Sequence, residues 1–207
     1  MLHHLVSWPR AQADAPHPAL VLLHGRGSHE QDLFGLVPAL PKRPVVISVR
    51  APFPMAWGGF YWYELGSGGE ADRPSLDSSL EQLQELVVGL PEQYQVDPAQ
   101  LYLLGFSQGA LMSGHFTLAH PELVAGTVML SGYLRSPHIG GAVTGKPFFM
   151  AHGSTDGVLP VVLARQARLQ LEGLGVDLEY HEYAMEHQVI EPELDDLGRW
   201  FEARGLS

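Results

Sequence analysis

The sequence predicts an α/β fold: a mostly parallel central sheet with helices on both faces, in a single domain spanning residues 1–207. Two observations carry this. Short apolar runs ending at or near glycine recur along the chain, and segments with helical spacing lie between them. Strands that alternate with helices run parallel to one another and are covered on both sides. The length, 207 residues, suffices for one real core, and no linker, internal repeat or low-complexity segment divides it.

Taken in order, "ALVLLHG" (19–25), "PVVISVR" (44–50), "QLYLLG" (100–105), "GTVMLSG" (126–132) and "PFFMAHG" (147–153) read as buried strands. "VDLEYHEY" (176–183) alternates polar with apolar residues, as a strand nearer an edge does. Leu76, Leu80, Leu83, Val87, Leu90 and Tyr94 follow a helical stripe behind a Ser75/Asp77 start signal, with Pro91 expected to kink or split the helix. "LMSGHFTLAHPE" predicts a helix that stops near Pro121. Residues 159–171 and 190–201 predict two more, and the Gly-rich 64–74 stretch predicts a surface loop.

Composition narrows the function. Twelve Lys and Arg stand against 23 Asp and Glu, a formal net charge of −11, which argues against nucleic-acid partners and anionic membranes. No cysteine is present, so disulfides, thiolate metal sites and a cysteine nucleophile are excluded. The first residues lack a basic stretch followed by an apolar one, and no run of about 18 apolar residues occurs. A cytoplasmic protein without a membrane span is expected.

In open parallel sheets, sites form at the carboxyl ends of the strands. Gly105-Phe106-Ser107-Gln108-Gly109 follows one strand and opens a helix, the pattern of a strained turn that lifts a serine hydroxyl clear of the backbone. Such a serine needs a base, and the base needs an orienting acid. "HGSTDGVLP" supplies Asp156 and "YAMEHQVIEPE" supplies His187, both beyond later strands and in the order serine, acid, histidine. Competing readings stand beside this one. Asp156 can cap the helix near Val158, Asp177 and Glu186 are rival acids, and His152 is a rival base. Acyl transfer also requires donors for an oxyanion. The N–H groups of Gln108 and of Arg26, in "HGRGS", are the candidates.

These stretches, "LLHGRG", "GFSQGA", "HGSTDGVLP" and "MEHQV", resemble the phospholipase/carboxylesterase family of α/β-hydrolases, which includes the acyl-protein thioesterases. The resemblance runs from about Leu20 to the C-terminus. It implies the α/β-hydrolase fold and a serine esterase acting on short-to-medium acyl esters or thioesters without a cofactor. It puts the triad on Ser107, Asp156 and His187, with oxyanion donors at Arg26 and Gln108. Arg26 and the following "SHEQDL" depart from the thioesterase branch and favour the bacterial predicted-esterase branch.

Residues 51–74 hold six of the 19 aromatic side chains. Trp57, Phe60, Tyr61 and Trp62 are candidate substrate-binding residues; the alternatives are packing onto the sheet or a homodimer contact. The short connections leave no room for a large lid domain. Arg26 is expected either to attract an anionic substrate group or to pair with Glu30. "GGAVTGKP" (140–147) nearly spells a phosphate loop, but Pro147 stands where a hydroxyl is needed and a strand follows. No H-E-x-x-H occurs and no Cys is available, and no metal is expected. The leading expectation is a serine carboxylic-ester hydrolase for a small-molecule ester or thioester. The alternatives are a non-catalytic binding module of the same fold, or a lactone or peptide hydrolase using the same triad.

Overall fold

The five apolar runs and the alternating 176–183 segment all become strands. The computed structural model, which describes residues 2–11, 15–67 and 69–207, runs β1 (His4–Ser7), β2 (His17–Leu23), α1 (Gln31–Phe34), β3 (Val45–Val49), β4 (Phe53–Pro54), β5 (Phe60–Tyr61), α2 (Arg73–Tyr94), β6 (Val96–Phe106), α3 (Gln108–Ala119), β7 (Gly126–Leu130), β8 (Pro147–Gly153), α4 (Val161–Gly173), β9 (Asp177–Tyr183) and α5 (Glu191–Glu202). Seven strands make one sheet in the order β1-β3-β2-β6-β7-β8-β9, and β4 with β5 makes a separate hairpin. All neighbours from β3 to β9 are parallel; β1 alone runs antiparallel, against β3.

Alternation along the strands sorts the core into layers. On one face, Val21, Leu23, Ile47 and Leu103 meet Leu83, Leu86 and Leu90 of α2 and Leu111 and Phe116 of α3. On the other, Leu20, Leu22, Val46 and Leu104 meet Leu33 of α1 and Leu197, Trp200 and Phe201 of α5. A third group joins Met129, Phe148 and Met150 to Ala164, Ala167 and Leu171 of α4.

One strand, β1, is unexpected, and two local expectations change. β1 has no apolar signature, because all four of its residues are only half-buried at the sheet edge. α2 starts earlier than Ser75: Asp72 is its N-cap and accepts a hydrogen bond from the Ser75 N–H at 3.0 Å, with Pro74 in the first turn. Pro91 does not split α2, which continues to Tyr94; buried Leu86, Val87 and Leu90 hold the turns leading into it against the sheet. Residue 68 of the expected surface loop lies outside the described residues. No inserted domain stands over the strand ends among the described residues, and no helix there is long and apolar enough to cross a membrane.

The first turn of α5 carries a buried carboxyl. Glu193 is wholly inaccessible. Beyond a loose approach to the Ile190 N–H, neither of its oxygens finds a partner among the described residues. Burial pushes this acid up to about 7 from 4.5. Folding therefore favours its protonated form. The stability it contributes is complete below about 4.5 and is lost as pH rises through about 7. Glu193→Gln should match the wild type in urea unfolding at pH 4.5 and exceed it by about 3 kcal/mol at pH 8.5, since each pH unit of displacement is worth about 1.4 kcal/mol.

Candidate active site

The turn between β6 and α3 is steric in origin. A Cβ on Gly105 would lie 2.0 Å from the Gly109 carbonyl oxygen, and one on Gly109 would lie 1.9 Å from that of Leu23. Only glycine lets the helix close on the strand ends there. Ser107 sits between them at φ 55°, ψ −115°, a conformation that non-glycine residues rarely adopt. Its N–H donates to the Leu130 carbonyl of β7 at 2.9 Å, and its own carbonyl accepts from Ala110 at 3.0 Å, so the strained residue is held from both sides.

β8 and β9 deliver two further groups to this point. The imidazole of His187 lies with Nε2 2.9 Å from Ser107 Oγ and Nδ1 2.7 Å from Asp156 Oδ2. The three sequence-predicted residues are thus brought together. Asp156 also caps its own turn, as the competing reading had it, because Oδ1 accepts from the Val158 and Leu159 N–H groups at 2.8 Å each. One carboxylate oxygen fixes the loop and the other holds the imidazole. Burial opposes the charge on Asp156, but hydrogen bonds from His187, Leu159 and Val158 outweigh it and hold the carboxyl below its ordinary range. The loops bearing Asp156 and His187 are themselves tied, since the N–H and Oγ1 of Thr155 both donate to the Met185 carbonyl. Phe106 packs on the imidazole, ring centroids 4.9 Å apart. The rival base, His152, is fully buried behind Asp156, with Nε2 2.8 Å from the Leu159 carbonyl oxygen.

The "HGRGS" loop leaves β2 beside this group. Among the described residues, the backbone N–H groups of Arg26 and Gln108 have no acceptor. Gly27 N–H donates to the Phe60 carbonyl and Phe60 N–H to the Ser28 carbonyl, both at 2.8 Å, so β5 holds the loop edgewise. His24 is buried just before it. Its Nδ1 lies 2.7 Å from the Gly25 carbonyl oxygen, and Nε2 accepts from the Ala51 N–H at 3.1 Å, an arrangement that requires the neutral ring. Burial likewise lowers its pKa.

Two cavities adjoin His187. One, about 250 Å³, is lined by Leu33, Leu36, Phe106, Val189, Asp32 and Gln188; the other, about 340 Å³, by Thr155, Val158, Glu186 and Gln188 among others. None of Trp57, Phe60, Tyr61 and Trp62 lines either. The first cavity is not visible in the sequence because its apolar wall comes from the short α1 and from Phe106.

The sequence profile of the phospholipase/carboxylesterase family matches residues 10–203. The chain belongs to this family. Acyl-protein thioesterase 1 of Saccharomyces cerevisiae is 31% identical over 49% of this chain and 48% of its own length. A pimeloyl-(acyl-carrier protein) methyl ester esterase of Aeromonas hydrophila is 31% identical over 71% of this chain and 45% of its own. The chain spans about half the length of these two curated relatives. A crystal structure of the Bacillus cereus carboxylesterase superposes with a TM-score of 0.86, covering 98% of this chain and 94% of that one at 23% identity. The fold is accordingly that of the α/β-hydrolases.

Against this family background, two side chains are not where the sequence suggested. Trp62 is completely buried and does not face a substrate. Its indole N–H donates to the His24 carbonyl at 2.8 Å. Nor does Arg26 pair with Glu30, which is held by Arg50 at 2.5 and 2.6 Å and thereby brought down to about 2. Arg26 instead stacks over Tyr61, 5.0 Å from the ring centroid, with the exposed Glu64 carboxylate 3.8 Å away. Trp57 is 81% exposed at the hairpin tip, and Phe60 packs against the core. Pro147 opens β8, and no phosphate loop forms. No group of three or more His, Asp or Glu among the described residues is arranged for a metal. Because residue 109 touches backbone, which cannot rotate away, Gly109→Ala should cost about 3 kcal/mol or more in urea unfolding. Gly89→Ala, on open space in α2, should cost nothing or stabilise slightly.

Proposed function

We propose that this chain is a serine carboxylic-ester hydrolase, active on short-to-medium acyl esters or thioesters. The observation that carries the reading is the continuous line of hydrogen bonds from Asp156 through His187 to a serine held at positive φ. Ser107 Oγ attacks the carbonyl carbon as its proton passes to His187 Nε2. The carbonyl oxygen becomes an oxyanion facing the N–H groups of Arg26 and Gln108. Asp156, kept ionised by its three donors, stabilises the imidazolium and fixes the tautomer. The tetrahedral species collapses, His187 gives its proton to the departing alcohol or thiol, and an acyl-Ser107 ester remains. Water then enters, loses a proton to His187 and releases the acid.

The two cavities beside His187 support a limit on substrate size. At about 250 and 340 Å³ they suit a short acyl or alcohol group and are too small for two long chains. The Arg26 guanidinium stacks on Tyr61, donates from Nη1 to the Tyr63 carbonyl at 3.5 Å and has the exposed Glu64 carboxylate 3.8 Å from Nη2, long contacts that a carboxylate on the substrate would replace with shorter, charge-assisted ones.

A fluorophosphonate probe should label the wild type and leave Ser107→Ala unlabelled. On p-nitrophenyl esters of graded length, Ser107→Ala should lose about 10⁵–10⁶-fold in kcat and Asp156→Asn about 10⁴-fold. Folded wild type that takes no label and turns over no ester or thioester would favour a binding module instead. Arg26→Ala should lower kcat/KM for carboxylate-bearing esters about fivefold more than for neutral ones of equal length; an unchanged ratio removes the charge preference.

A further inference from the structure

The two N–H groups assigned to the oxyanion hole belong to different strand ends, Arg26 after β2 and Gln108 after β6, and no covalent path of fewer than eighty residues joins them. Something must set their spacing. The Phe60–Tyr61 strand and the two residues after it touch both. Trp62 donates its indole N–H to the His24 carbonyl at 2.8 Å, two residues before Arg26. Its backbone N–H donates to Gln108 Oε1 at 2.8 Å, and Gln108 Nε2 donates to the Tyr63 carbonyl at 2.7 Å. Ser79 of α2 anchors the same residue from behind, donating to the Trp62 carbonyl at 2.5 Å.

We propose that Trp62 and the side chain of Gln108 are positioning residues for the oxyanion hole, a brace that fixes the distance between its two donors. The inference rests on the hydrolase reading above. Both side chains are unusual expenditures for packing alone. A glutamine at the first position of a helix normally reaches solvent, whereas Gln108 is 5% exposed and satisfies both its oxygen and its nitrogen on the main chain of a remote segment. Trp62 is fully buried, and its ring centroid lies 5.6 Å from that of His24, so the indole abuts the residue that opens the oxyanion loop. These bonds lie in a water-excluded region where they are strong and cannot be exchanged for solvent. An oxyanion donor acts only if it is already in place when charge develops. Displacing one by about an ångström costs on the order of a hundredfold in rate.

The test uses Trp62→Phe, which removes the indole donor and keeps an aromatic ring, and Gln108→Met, which keeps the volume and removes both polar atoms. Leu90→Ala, in the core at the far end of α2, serves as a stability control. On a p-nitrophenyl ester, each brace variant should lose about 10- to 100-fold in kcat with KM within threefold of wild type. The affinity for a boronic acid that adds to Ser107 should fall in step with kcat/KM. The double variant should lose less than the product of the two, since both act on one frame. Leu90→Ala should lose stability and keep kcat. Labelled, active wild type together with folded brace variants whose kcat stays within twofold would overturn the proposal and leave the hydrolase reading standing. Wild type that neither takes a fluorophosphonate nor turns over ester removes the hydrolase reading itself. Should Trp62→Phe not fold, Gln108→Met decides by the same criteria.

Discussion

At the junction of β6 and α3 the backbone of residue 109 presses on the end of β2 at a distance that excludes any side chain, and the geometry of the whole strand-end surface follows from that contact. It brings the start of α3 against the loop carrying Arg26. It forces Ser107 into a left-handed conformation, with its hydroxyl aimed along the sheet toward β8 and β9. Strain of this kind persists only where the surroundings over-determine it. Here the Leu130 carbonyl, the first turn of α3 and the glycine contacts on either side supply the constraint.

Electrostatics at the strand ends is resolved locally, even though the chain carries a net charge of −11. Asp156 is nearly buried yet held ionised, because both oxygens are occupied by donors. Glu193, more deeply buried, has no comparable set of donors and is pushed the other way. The two carboxyls thus behave oppositely: deeper burial raises one, and the donors aimed at the other outweigh its burial.

Much of the fold and of the site could be read from residue order. Five of the seven sheet strands announce themselves as apolar runs, because strands buried on both faces are apolar nearly throughout, and β9 shows as the alternating segment of an edge strand. The Gly105 and Gly109 pair is legible because a steric demand maps directly onto residue type. Asp156 and His187 are legible because the topology dictates which strand ends come next. What escaped depends on contacts between distant segments. β1 is a half-exposed edge strand without an apolar pattern. Trp62 lies in an aromatic-rich stretch that resembles a binding wall, and only the packed structure reveals that its ring turns inward. The pairing of Arg50, not Arg26, with Glu30 is set by which strand passes closest, and spacing along the chain does not encode it.

β9 is the outermost strand and is hydrogen-bonded into the sheet on one side only, by β8. It also carries the loop with the imidazole. His187 therefore rides on the margin of the sheet, retained by one ladder and by the Thr155 links to Met185. Fraying of that margin would separate residue 187 from the hydroxyl at residue 107 while the central strands remain paired, so warming would undo the alignment of these two side chains at a temperature below that of cooperative melting.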